Sequence, residues 1–196
     1  MPDPAQSRKR HVRDWVGSYV AGGSAPTGGT VRSYAEGSVE LETRVFLASA
    51  LSHVTETDDL HNASVTHPGC VVNAVALLLG AEVGARGHAA LRATLAGYEV
   101  MTRIGEALGP AHYRTFHNTA TAGVFGAAAT AASLLSLEED AWVSALGSAG
   151  TQAAGLWQFN EEGAMSKPLH AGQAACAGLR AALLAKAGLT GACLLY

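Results

Sequence analysis

The chain reads as an all-α domain of six to eight helices. No stretch alternates apolar and polar residues as a half-buried strand would. Apolar residues instead recur at helical intervals between glycine and proline breakers. A length of 196 residues suits one domain with a core large enough to fold without staples, and residues 1–11 are expected to be a flexible N-terminus.

In chain order, Val12 to Ala21 spaces Val, Trp, Tyr and Val as one helical face, and GlyGly followed by SAPTGG ends it. A short helix over Thr30–Ala35 is expected next. A long helix then begins near Val39, and the run ETRVFLASALSHVTETDD would carry it from Glu42 to Asp59, placing His53, Glu56 and Asp59 on one face. Pro68 halts any continuation and pushes His67 toward extended geometry, which sets that histidine on a bend. Val71–Leu79 is apolar throughout and short enough for a buried strand, but its alanine and leucine content favours helix. Arg86–Leu108 is amphipathic and stops at Gly109-Pro110, after which His112 and His117 flank a connector. Thr119–Leu135 has the small-residue composition of a buried helix. Leu137–Gly155 opens on acidic residues suited to a helix N-terminus, and Leu169–Ala187 is the last helix, closed by Gly188.

Composition excludes several classes of function. The net charge is -3, and the only basic run, Arg8, Lys9, Arg10, His11 and Arg13, reads as a solvated helix start, so no nucleic-acid partner is expected. Three cysteines without close spacing point to a reducing compartment rather than a disulfide framework. Neither CxxC nor HExxH occurs, so no metal is expected. No apolar run approaches the ~20 residues of a membrane span. With a polar N-terminus, a cytoplasmic protein with no membrane partner is the expectation.

Chemistry concentrates in Ser52–Gly69, SHVTETDDLHNASVTHPG, which holds His53, His61 and His67 beside Glu56, Asp58 and Asp59. Three other polar residues stand against apolar helices. His117 precedes the buried helix, where capping or packing is the ordinary role of a histidine. Lys167 lies in a loop between helices, where it is either solvated or able to bind a carboxylate through charge-assisted hydrogen bonds. His170, three residues on, suits a ligand-binding or a structural role equally.

TDDLHNASVTHPG, LAGYEVMTRIGEALG, FHNTATAGVFGAAATAASLLSL, ALGSAGTQAAGLWQF and SKPLHAGQAACAGLRAALLAKAGLTG together resemble, in that order, the helical domain of the MmgE/PrpD family. That family includes 2-methylcitrate dehydratase and cis-aconitate decarboxylase. The resemblance implies a cofactor-free lyase acting on a small carboxylate-bearing molecule, and it carries Glu56, Asp58, Asp59, His67, His117 and Lys167 into the active site. Leu60 departs from it, because a threonine is usual there.

On this reading His67 and His117 are the acid–base pair, and Glu56 or Asp59 orients a histidine. Lys167, Asp58, His61 and His170 hold the substrate. The family's second, α+β domain, with its lysine and tyrosine, and its opening helices are expected to be missing. A homodimer is expected to cover the surface so exposed. The expected function is therefore a lyase-like dehydratase, decarboxylase or cyclase. The alternatives are one subunit of a split enzyme completed by a second-domain chain, and a non-catalytic binding protein.

Overall fold

The computed structural model describes residues 4–193, with side chains from Lys9 onward. Ten helices follow one another: α1 (Pro4–Ser24), α2 (Pro26–Ala35), α3 (Leu41–His53), α4 (Pro68–Glu82), α5 (Gly87–Ala107), α6 (Pro110–Tyr113), α7 (Asn118–Leu134), α8 (Glu139–Gly150), α9 (Gln158–Glu162) and α10 (Lys167–Lys186). No strand occurs among the described residues, which contain only the isolated bridges His61–Thr66 and Phe116–Leu156. The all-α expectation holds. The excess over the expected number of helices comes from the single-turn pieces α6 and α9.

Proline sits in the first turn of α2, α4, α6 and α10, where the missing N–H costs nothing and the fixed φ suits a helix. Several boundaries differ from expectation: α2 starts at Pro26 rather than Thr30, and α8 spans Glu139–Gly150 rather than Leu137–Gly155. Helix α10 starts at Lys167 rather than Leu169, so Lys167 is a first-turn residue and not part of a loop. Helix α1 starts at Pro4, so much of the segment expected to be flexible is helical, and residues 1–3 lie outside the described residues. Helix α3 ends at His53, six residues short of Asp59, and Glu56 adopts a left-handed φ of 52°. Glu56 and Asp59 are thus not on a helical face with His53.

The core is built around α7, which packs against α10, α5, α4 and α8 and is buried on nearly every side. Its surface is mainly alanine, glycine and threonine, which lets neighbouring backbones come close. A Cβ on Gly178 of α10 would collide with the Val124 carbonyl and Ala127 on α7, so this crossing accepts only glycine. The larger apolar volume comes from α4 and α5, through Val71, Val72, Val75, Leu79 and Met101. This packing fixes the N-termini of α4, α7 and α10 relative to one another, and those termini carry His67, His117 and Lys167.

Gly178→Val is expected to lower stability by about 1–3 kcal/mol through overpacking against α7. Gly17 on α1 has open space around its Cβ position, so Gly17→Ala should raise stability by roughly 0.5–1 kcal/mol. Urea midpoints of the two variants, which should move in opposite directions, check both expectations.

Candidate active site

A buried carboxylate gathers two histidines. Asp58 Oδ2 lies 2.8 Å from Nδ1 of His53, the last residue of α3, and Oδ1 lies 3.5 Å from Nδ1 of His67, the residue capping α4. The Asp58 and His53 side chains are 1% and 0% exposed, and that of His67 is 15% exposed. Burial opposes ionisation of Asp58, but the hydrogen bond with His53 and the adjacent His67 imidazole outweigh it and hold its pKa far below the ordinary carboxylate range. The same balance acts on His67: burial would lower its pKa, and the Asp58 carboxylate raises it above the ordinary histidine value.

The loop between α3 and α4 is held against its own backbone preferences. Val65 has φ 52°, a costly conformation for a β-branched residue. Backbone pairing of His61 with Thr66 closes the turn, and the Asn118 side chain donates to the Ser64 carbonyl at 3.1 Å. The His67 N–H donates to Thr119 Oγ1 at 3.1 Å. Both clamping residues open α7, so the helix that carries His117 at its N-cap also fixes where His67 points.

His117 faces the same cluster. Its ring stacks on His53 with centroids 5.6 Å apart, and the His67 ring meets His53 edge-on at 4.9 Å. On its other side, His117 Nδ1 is 3.4 Å from Nδ1 of His170. Burial is the main reason that its pKa falls to about 2, with the positive charges of His53, Lys167, His170 and His67 adding to the effect. Burial, then His53 and Lys167, also lower the pKa of His170. One imidazole of the cluster therefore retains its proton above the usual range, and another gives it up readily.

Lys167 Nζ pairs with Glu56 Oε2 at 2.6 Å. Burial opposes the Glu56 charge, but Lys167 prevails and lowers the carboxyl's pKa. Together with His53 and Phe159, the pair lines a cavity of about 300 Å³ at the start of α10. The structure thus brings Glu56, Asp58, His67, His117, Lys167 and His170 into one region.

Two expected site residues, Asp59 and His61, lie elsewhere. Asp59 turns away from the histidines and accepts from the Gly69 N–H at 2.8 Å and the Tyr98 hydroxyl at 2.7 Å, with His11 Nδ1 at 3.0 Å. It braces the first turn of α4 rather than facing the cavity. A Cβ on Gly69 would meet both Asp59 Oδ1 and the Tyr98 hydroxyl, which explains glycine there. His61 bonds to Ser64 at 2.9 Å within its own turn and points toward Glu106. Leu60, where the chain departs from the family pattern, is 53% exposed and does not line the cavity.

Sequence reasoning did not assign His53 a site role, although it lies in the histidine-rich stretch. Tyr98 and His11 lie far along the chain, and no local pattern marks them. His11, read as part of a solvated run, instead ties α1 to the loop through Asp59.

His53, Asp58 and His67 are the one set of donors among the described residues close enough together to be weighed as a metal site, with ligand atoms within 4.8 Å. In this structure the 2.8 Å contact of His53 Nδ1 with Asp58 Oδ2 is a hydrogen bond, which shares a proton between the two groups. Two cysteines offer no nucleophile. Burial raises the Cys70 thiol pKa and pushes that of Cys176 up to about 12. No helix among the described residues is long and apolar enough to cross a membrane.

The charge pattern gives two expectations. Asp58→Asn should lower the His67 pKa, because burial then acts unopposed, and this is readable in the imidazole proton shifts. His117, with its pKa depressed when folded, is protonated first in the unfolded chain, so its contribution to stability is lost as pH falls below the unfolded value. Between pH ~6.5 and ~5 this amounts to roughly 2 kcal/mol. His117→Gln should flatten that part of the stability profile, as measured by urea unfolding across the range.

Comparison with known proteins supplies the relationship. A cis-aconitate decarboxylase-like protein of Aspergillus oryzae, oryM, is 35% identical to the chain over 160 residues, covering 76% of this chain and 33% of the relative. The chain thus spans about a third of that relative's length. Residues 3–196 match the MmgE/PrpD N-terminal domain. With its all-helical architecture and this match over nearly its whole length, the chain belongs to the MmgE/PrpD family.

Proposed function

We propose that the chain provides the acid–base centre of a lyase acting on a carboxylate-bearing substrate. The family is of lyase and dehydratase type. The observation that carries the narrower reading is the opposite proton preference of His67 and His117, whose rings both pack against His53 beside the Lys167 ammonium. A proton donor and a proton-free imidazole next to a cation are what elimination from a carboxylic acid requires.

Lys167 takes a substrate carboxylate in exchange for Glu56. That carboxylate offsets the positive charge which, after burial, depresses His117, so His117 becomes more basic once substrate is bound. In a dehydration, His117 accepts the C–H proton, the electron pair forms the double bond, and hydroxide leaves with the proton of His67. In a decarboxylation, the C–C bond to the departing carboxylate breaks, its electrons delocalise into the remaining acid, and His67 protonates the carbon. His67 is the donor in both. Asp58 restores its proton affinity and His53 holds Asp58 in place.

The test is proton NMR in deuterated buffer with citrate, 2-methylcitrate and cis-aconitate. Turnover or solvent deuterium incorporation is expected, with His67→Ala and His117→Ala each reducing it by about 10²–10⁴-fold. Lys167→Ala should raise KM by about 10–100-fold, the loss of one charge-assisted contact. Activity should fall as pH rises through the elevated pKa of His67, and Asp58→Asn should move that limb to lower pH. An unaltered spectrum with all three acids would exclude small tricarboxylates as substrates. Equal activity in the histidine variants would sink the acid–base assignment.

A further inference from the structure

A second cavity, of about 510 Å³, opens on the other side of the α10 N-terminus. Its walls combine apolar groups, among them Ala120 of α7, Ala154, Leu156, Phe159 of α9 and Leu169 of α10, with His170 and the uncharged polar side chains of three glutamines and a serine. No Asp, Glu, Lys or Arg lines it, and its one titratable group, His170, has a lowered pKa. The neighbouring cavity of about 300 Å³ contains the Glu56–Lys167 pair.

The two spaces share one wall residue. Phe159 lines both. Its ring lies 5.8 Å from that of His117 and 5.3 Å from that of His170. Lys167 and Pro168 face the charged space, while Leu169 and His170 face the uncharged one. His170 Nδ1 in turn reaches within 3.4 Å of His117 Nδ1. An uncharged space therefore lies against His170 and Phe159, the two residues whose rings contact His117, and its volume is in the range that accommodates a drug-sized ligand.

We infer that the substrate is amphiphilic: a carboxylate head held by Lys167, and an uncharged alkyl or acyl tail lodged between Ala120, Leu156, Phe159 and Leu169. This rests on the reading of Lys167 as the carboxylate site. The arrangement places the reacting carbons, between head and tail, near Phe159, whose ring lies 5.8 Å from that of His117. Phe159 and Leu169 supply apolar contact for the tail. An ionised tail would find no counter-charge there and would lose its hydration.

The test is calorimetric binding of succinate and of butyl-, hexyl- and octylsuccinate to the intact chain. Affinity should rise by about fourfold per added methylene until the cavity is filled, the increment for burying one methylene. Leu156 is 59% exposed, so Leu156→Asp introduces a charge into the wall with little risk to folding. That variant should bind succinate as before and lose the chain-length dependence, and Ala154→Trp, which fills the same space, should do likewise. Lys167→Ala should weaken every member alike.

Succinate binding that depends on Lys167 but does not strengthen with chain length would overturn the tail site while leaving the head site standing. A chain-length dependence that survives both Leu156→Asp and Ala154→Trp would place the tail elsewhere and overturn the inference. Failure of the whole series to bind would overturn the head site and the tail site together.

Discussion

The site depends on one buried charge. Asp58 is desolvated almost completely, and it persists as a carboxylate because two imidazoles from different elements face its two oxygens. Removing one partner from such a group typically costs about 3–5 kcal/mol, since the remaining charge is left without compensation. The end of α3, the start of α4 and the loop between them are therefore tied to a single side chain. The proton affinity of His67 follows from the same contact, so the interaction that shapes the loop also sets its chemistry.

Around that charge the fold works as a positioning device. Helices α7 and α10 approach closely because glycine and alanine occupy their contact, and this brings the N-terminus of each to the same region. His117, which caps α7, and Lys167, which opens α10, are brought together by the packing of their helices. Asn118 and Thr119 extend the same control to the turn bearing His67. The strained Val65 is tolerated because that turn is held from outside.

Much of this was legible in the sequence. Helices α4, α5, α7 and α10 are long apolar or amphipathic runs with glycine and proline punctuation, and their ends lie within a few residues of expectation. The end of α3 was not legible. VTETDD has no strong breaker, and the helix stops because Asp58 and Asp59 are drawn to opposite sides, one to His53 and His67, the other to Gly69 and Tyr98. Those partners are tertiary. For the same reason Asp59, adjacent to Asp58 and chemically identical to it, proved to be a brace. Sequence proximity identified the cluster of acids but not which way each one points.

The pairing of Lys167 with Glu56 has a consequence for how substrate reaches the site. Together with the His67–Asp58 pair it balances positive against negative charge within a few ångströms, and the whole chain carries a small net negative charge. An approaching anion therefore meets no long-range attractive field, and encounter proceeds by unassisted diffusion, largely indifferent to ionic strength. On the proposed function, selection for a carboxylate begins only at contact, when the incoming group competes with Glu56 for the ammonium.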